Sequence, residues 1–297
     1  MKYLRIKAAF AATGMALALA ACGDAGSDDE ASDVEAQENA AEDFDDGTRM
    51  KELADDGKIV IGVKYDQPGL GFKGATDDVP SGFDIEIAKL LIADLGIDPE
   101  DTSVVDWKET ISDNREPYLQ AGEVDLVLAS YSITDERRQV VGQTGPYFIT
   151  GQQLMVKKGS DIKSVADLKG KEVCSVTGST SLDNVEAEGA KPRGFDTYSE
   201  CRDQVLDGTV DAMTTDGAIL LGYVAINPDE LEVVGDEFSE ERIGVGYSKD
   251  HPEMCEWINE VLEDSFKDGT WDTAFKATLG KSGVETPEPP ALDECAA

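Results

Sequence analysis

From residue 50 onward, short apolar runs alternate with segments whose apolar residues recur at helical spacing. Residues 58–63 (KIVIGV) have the length and branched side chains of a buried strand. Residues 83–95 (FDIEIAKLLIADL) place apolar side chains three and four apart and then stop at Gly96, as a core-facing helix does. The same pattern predicts strands at 103–107, 124–129, 153–157, 172–176, 210–213, 231–234 and 243–248. It predicts helices at 115–121, 134–141, 165–168, 180–188, 199–206, 218–225, 252–267 and 270–278. The tail, with Pro287, Pro289 and Pro290, reads as coil. Strands separated by helices imply an α/β protein, here in two βα-rich halves. Residues 145–150 lie between the halves and 236–241 return to the first. The expected organisation is therefore a first lobe built from 49–150 and 241–297, and a second built from 151–240. Two crossings leave lobe 1 discontinuous. Such lobes turn the carboxyl ends of their strands, where ligands bind in open α/β sheets, toward a shared cleft.

The first 48 residues follow a different pattern. Lys2, Arg5 and Lys7 precede an apolar run, 8–21, about half as long as a membrane span. The run ends in Leu19-Ala20-Ala21-Cys22-Gly23, which looks like a bacterial lipobox. Residues 1–21 are then a lipoprotein signal peptide, cleaved before a lipidated Cys22. Residues 23–48 hold 11 acidic residues and no Lys or Arg. Self-repulsion and a lack of apolar surface predict that 22–48 is a disordered tether.

Charge narrows the function. The chain has 297 residues, 26 Lys+Arg and 62 Asp+Glu, a formal net charge of −36. Nucleic-acid binding and docking through a polybasic patch both need a basic face that this chain cannot easily build. A single histidine, His251, argues against a Ser-His-Asp triad and excludes a multi-histidine metal site. Neither metal nor cofactor is expected. Gly69-Leu70-Gly71-Phe72-Lys73-Gly74 has the G-x-G-x-x-G spacing of a dinucleotide loop, but a second turn follows where a helix would have to open. Gly178-Ser179-Thr180 lacks the lysine of a phosphate-binding loop. With Cys22 lipidated, four cysteines remain, and no C-x-x-C spacing suggests metal. Cys174–Cys201 and Cys255–Cys295 are the expected disulfides, because each pair then lies within one lobe.

Few cations stand where local rules place them. Lys64 follows strand 59–63 and so points at the cleft; the alternative is a surface ion pair. Arg115 opens a helix, where a cation is disfavoured by the dipole. Thr134 is a plausible N-cap, and Arg137 at the third helical position again sits where an anion is preferred; a salt bridge to Asp135 or another acid competes with carboxylate binding. Asp216 follows a strand and precedes a helix, so it is either an N-cap or a site residue. Trp107, Trp257 and Trp271 read as core.

At this point the chain resembles bacterial extracellular solute-binding proteins of the polar-amino-acid family over about residues 58–280. The resemblance is carried by Ser81-Gly82-Phe83-Asp84-Ile85-Glu86, Gly122-Glu123-Val124-Asp125, Ser132-Ile133-Thr134-Asp135-Glu136-Arg137, Gly145-Pro146-Tyr147, Leu168-Lys169-Gly170-Lys171 and Val210-Asp211-Ala212. Lys64-Tyr65-Asp66-Gln67-Pro68-Gly69, Asn114-Arg115-Glu116-Pro117, Thr177-Gly178-Ser179-Thr180 and Thr214-Thr215-Asp216 are similar to glutamate-binding lipoproteins of Gram-positive ABC importers. Gly142-Gln143-Thr144 departs from relatives that carry a Phe there.

The resemblance implies a two-lobed, periplasmic-binding-protein-like (Venus-flytrap) fold and a binding role rather than catalysis. Arg137 would clamp the ligand α-carboxylate, aided by Ser132 and Thr180. Asp216 would take the α-ammonium, and Ser130 would contribute its carbonyl or hydroxyl. Lys64 and Arg115 would face a side-chain carboxylate, which favours glutamate, then aspartate, over glutamine or another polar amino acid. A dehydratase-like enzyme on the same scaffold is a further alternative. The implied partners are an ABC permease with its ATPase, and the membrane through a lipid anchor on the extracellular face of the cell; the protein is expected to be a monomer. An anion binder this acidic must concentrate its few cations in the cleft. Its bulk repulsion suits a saline medium that screens it within ångströms.

Overall fold

The computed structural model describes residues 34–295, so the expected signal peptide and the lipidation of Cys22 lie outside the described residues. Among the described residues no helix is long and apolar enough to cross a membrane.

The described end of the expected tether is not disordered. Residues 34–48 lie on lobe 1: the Gln37 amide donates to the Ala93 carbonyl at 2.8 Å, Ala40 is buried, and the Phe44 ring meets Trp257 edge-on at 6.4 Å. The dense acids hid two apolar anchors, which find partners on helices distant in sequence. This segment leads into α1 (Arg49–Asp56), which the periodicity also missed. Thr48 caps α1 by accepting from the Lys51 amide, and Gly57 ends it in the left-handed region.

The chain then forms β1 (Ile59–Val63), the hairpin β2 (Asp66–Gln67) and β3 (Gly71–Phe72), α2 (Phe83–Asp94), β4 (Val105–Glu109), α3 (Arg115–Ala121), β5 (Leu126–Leu128) and β6 (Gly142–Thr150). Between β5 and β6 the predicted helix 134–141 is only a 3-10 turn, Arg137–Gln139. The Thr134 hydroxyl does accept from the Arg137 amide at 3.1 Å, but Gly142 already belongs to the long pairing of β6, which leaves no room for a second turn. Gly142 itself leaves no room for a side chain: a Cβ there would lie 2.2 Å from the Tyr247 ring.

Lobe 2 comprises β7 (Gln152–Lys157), β8 (Glu172–Val176), α4 (Thr180–Ala187), β9 (Lys191–Phe195), α5 (Tyr198–Asp207), β10 (Ala212–Asp216), α6 (Gly217–Ile226) and β11 (Leu231–Val234). The sequence KPRGF disguised β9; it is an exposed edge strand parallel to β8, where proline is tolerated. The chain returns to lobe 1 as β12 (Glu241–Tyr247), then α7 (Met254–Asp268) and α8 (Thr270–Ala277).

The sheet orders are β4-β1-β5-β12-β6 and β11-β7-β10-β8-β9. In the first, β1 is parallel to β4 and β5, and the returning β12 is antiparallel to β5 and β6. In the second, β8 is parallel to β9 and β10, and β7 is antiparallel to β10 and β11. The two crossings touch: the Phe238 amide donates to the Gln152 carbonyl at 3.0 Å. This is the two-lobed Venus-flytrap architecture. Phe83 centres the lobe 1 core, with Tyr147, Phe148, Trp271 and Phe275 around it at 5.2–6.0 Å. All three tryptophans are buried in that core. Both disulfides form as paired, Cys174–Cys201 within lobe 2 and Cys255–Cys295 pinning the tail to α7.

Candidate functional site

The strand ends of both lobes meet. Lys64 follows β1, Ser112 and Arg115 follow β4, and Ser130 and Ser132 follow β5. Across the cleft, Gly178 and Thr180 follow β8, and Asp216 ends β10. The lobes are in contact. Arg115 Nη2 of lobe 1 and Arg137 Nη2 of lobe 1 both donate to the Gly178 carbonyl of lobe 2, each at 3.0 Å. At a second contact, Asp66 accepts from the Ser199 amide of α5 at 3.0 Å and from the Tyr223 hydroxyl of α6. No side chain fits at either glycine of these contacts. A Cβ on Gly178 would lie 2.9 Å from the Asp113 Cα, and one on Gly222 would lie 2.2 Å from the Pro68 carbonyl oxygen. The conformation is a closed cleft.

Three cations line it, all nine-tenths or more buried: Lys64, Arg115 and Arg137. The guanidiniums of Arg115 and Arg137 lie over the same Tyr131 ring, 4.5 and 5.0 Å from its centroid, a favourable seat for desolvated cations. Arg137 is an ion pair, but with Glu116 of α3 at 3.1 Å rather than with Asp135. Its Nη1 donates to the Ser132 carbonyl at 2.7 Å.

Arg115 has no such partner. Its other donors go to the carbonyls of Ser112, Ala129 and Ser130. Burial and the nearby Arg137 lower its pKa to about 10, which leaves it charged at neutral pH. Lys64 donates to the Ser112 hydroxyl at 2.9 Å. Among the described residues no carboxylate lies within ion-pairing distance of either Lys64 or Arg115, so the surface-pair alternative for Lys64 is excluded. Burial, and next Arg115, push the Lys64 ammonium down to about 7.

Asp216 occupies the N-cap position of α6 but makes no side-chain capping bond. It is buried, and burial together with Glu241 raises its pKa well above the carboxylate range. A cation arriving beside it would be strongly favoured. The Thr180 hydroxyl donates to Glu241 at 3.0 Å, so the free chemistry at the start of α4 lies with its backbone rather than that hydroxyl. Ser130 is held with φ 41°, an uncommon left-handed conformation for a non-glycine residue. Its amide donates to Asp84 at 2.7 Å and its hydroxyl to Gln67 at 3.0 Å. Asp84 in turn accepts from the Tyr147 hydroxyl on β6.

Sequence reasoning thus missed Glu116, Tyr131, Gly178, Gln67 and Asp84 as parts of the site. Glu116 had one signal, its place directly after an oddly positioned arginine; the others depend on approaches between distant segments. His251 lies in a turn before α7, 3.6 Å from Glu253, among lobe 1 surface residues.

Known proteins resemble the chain along most of its length. The chain is 38% identical over 252 residues to the glutamate-binding protein GluB of Corynebacterium efficiens, covering 82% of this chain and 85% of the relative. It is 37% identical to the ABC transporter glutamine-binding protein GlnH of Bacillus subtilis, covering 90% and 94%. Among solved structures, an ancestral arginine-binding protein bound to glutamine is 40% identical with a TM-score of 0.69, covering 75% and 98%. Residues 59–281 match the description of the bacterial extracellular solute-binding proteins, family 3, and the chain belongs to that family.

Proposed function

We propose that this protein is the lipid-anchored binding component of an ABC importer for an acidic amino acid, glutamate first and aspartate next. The observation that carries the ligand assignment is the pair Lys64 and Arg115: two buried cations with no carboxylate in ion-pairing contact among the described residues. A buried charge left unpaired is costly, and a ligand carboxylate would remove that cost through charge-assisted hydrogen bonds. Arg137, already balanced by Glu116, takes the α-carboxylate, which displaces the Gly178 carbonyl as its acceptor. Ser132, Ser130 and the start of α4 at Thr180 supply the remaining polar contacts. Asp216 receives the α-ammonium, whose charge offsets the burial of its carboxylate.

Closure around the ligand joins the lobes, and the closed form docks on the permease, whose ATPase drives transport. The lipid on Cys22 keeps the monomeric protein at the extracellular membrane face. Glutamine is the second reading, supported by the GlnH relative and the glutamine-bound structure; it would leave Lys64 and Arg115 facing a neutral amide. Calorimetric titration with glutamate, aspartate, glutamine and asparagine tests the assignment. Tighter binding of the two acids supports it, and a preference for either amide overturns it.

A further inference from the structure

The two cleft arginines are seated differently. Arg137 rests against the carboxylate of Glu116, which balances its charge. Arg115 rests on main-chain carbonyls. Its Nε donates to Ser112 at 3.1 Å, and its Nη1 donates to two successive carbonyls, Ala129 at 3.2 Å and Ser130 at 3.3 Å. Carbonyl dipoles hold a guanidinium without cancelling its charge, so this seat leaves Arg115 a cation for a ligand carboxylate.

Strand β5 could not make that seat by itself. In extended chain successive carbonyls point to opposite sides and cannot meet one donor. They converge here because Ser130 turns to φ 41° just past the strand. Left-handed backbone is unfavourable for serine and needs a restraint. Asp84, buried at the second position of α2, supplies it. Its Oδ2 accepts from the Ser130 amide at 2.7 Å. That amide and the Ala129 carbonyl belong to one planar peptide group, so fixing the N–H aims the carbonyl the opposite way, at Arg115. The Oδ1 of Asp84 accepts from the Tyr147 hydroxyl of β6 at 2.7 Å, which fixes the carboxylate in turn.

We propose that Asp84 is a positioning residue for acidic ligands: by holding the Ala129–Ser130 peptide it aims two carbonyls at Arg115 and sets that guanidinium where a ligand side-chain carboxylate meets it. This role rests on the acidic-amino-acid reading of the site. Arg137 takes its carbonyl from Ser132 and its charge balance from Glu116, so the α-carboxylate contact does not depend on this seat. Loss of the Asp84 restraint therefore weakens acidic ligands selectively rather than all ligands alike.

The experiment is calorimetric titration with L-glutamate and L-glutamine, alongside thermal unfolding without ligand. Asp84→Ala removes both acceptors. Glutamate affinity should fall about tenfold and glutamine affinity less than about threefold, because one charge-assisted contact is misaligned and the others remain. Asp84→Asn can still accept from the Ser130 amide while donating to Tyr147, so it should restore the preference for glutamate. Tyr147→Phe removes only the far bond of Asp84; it should lower the melting temperature and leave the ratio of the two affinities alone. Ser130→Thr keeps the hydroxyl, but its branched Cβ opposes left-handed backbone. It should lower the ratio with Asp84 intact, and it decides the matter should Asp84→Ala not fold. Equal losses for both ligands in Asp84→Ala, no recovery in Asp84→Asn, a ratio lowered as much by Tyr147→Phe, or an unchanged ratio in Ser130→Thr overturns the proposal. A failure of the underlying reading looks different: the unsubstituted protein would bind glutamate no tighter than glutamine.

Discussion

Gly222 offers a test of closure that leaves the ligand contacts untouched. It is the sixth residue of α6, in ordinary helical conformation, on lobe 2. Alanine is the better helix former there by about 1 kcal/mol, so the substitution should strengthen lobe 2 taken alone. In the closed form, however, the new methyl would sit 2.2 Å from the Pro68 carbonyl oxygen of lobe 1. Both atoms belong to or are fixed directly to backbone, so no rotamer change relieves the overlap. The lobes must part by about 1 Å here, and overpacking of this kind costs about 1–3 kcal/mol. Because only the closed form pays it, ligand affinity should fall roughly 5- to 150-fold for every ligand alike. Gly222→Ala would be compared with the unsubstituted protein by thermal unfolding without ligand and by calorimetric titration with glutamate. The expected result is an equal or higher melting temperature with weaker binding. Undiminished affinity, together with an unchanged ligand-induced contraction in solution scattering, would refute the closed contact between α6 and the β2–β3 hairpin.

Further predictions follow from the same contacts. Arg137→Met should weaken glutamate and glutamine together, whereas Arg115→Met should weaken glutamate by about tenfold or more and glutamine little, on a charge-assisted bond worth about 1.5–3 kcal/mol; equal losses for both ligands in Arg115→Met would contradict the side-chain assignment. Phe44→Ala should destabilise the protein by about 2–3 kcal/mol in chemical unfolding, below the full-core range because the ring lies at the edge of the core; no change would mean that 34–48 does not hold to lobe 1 in solution. Opening the Cys255–Cys295 pair by Cys255→Ser with Cys295→Ser should cost up to about 4 kcal/mol by loop-closure entropy for its 40-residue separation, read as a lower melting temperature with ligand affinity retained.

The strands and helices that build the two lobes were legible because each buries one face, and burial leaves a period in the sequence. Lys64, Arg115, Arg137 and Asp216 could be picked out because each sits at a strand or helix end where a simpler local role fits poorly. What was hidden depends on partners far along the chain. Phe44 reads as a stray aromatic in an acidic leash until α7 brings Trp257 to it. The helix expected over 134–141 lost to the pairing of β6 with β12, whose strands lie about a hundred residues apart. Gly178 looks like an ordinary turn glycine. Its carbonyl becomes the common acceptor of two arginines only when the lobes close. Glu116, likewise, is a plain helix-start acid until Arg137 folds across to it.

The central claim concerns which cation meets which end of the ligand. A crystal structure of the protein with L-glutamate answers it directly. The account predicts the side-chain carboxylate against Lys64 and Arg115, the α-carboxylate on Arg137, and the α-ammonium beside Asp216. Glutamate bound with Lys64 and Arg115 facing no carboxylate, or bound outside the cleft, would contradict it.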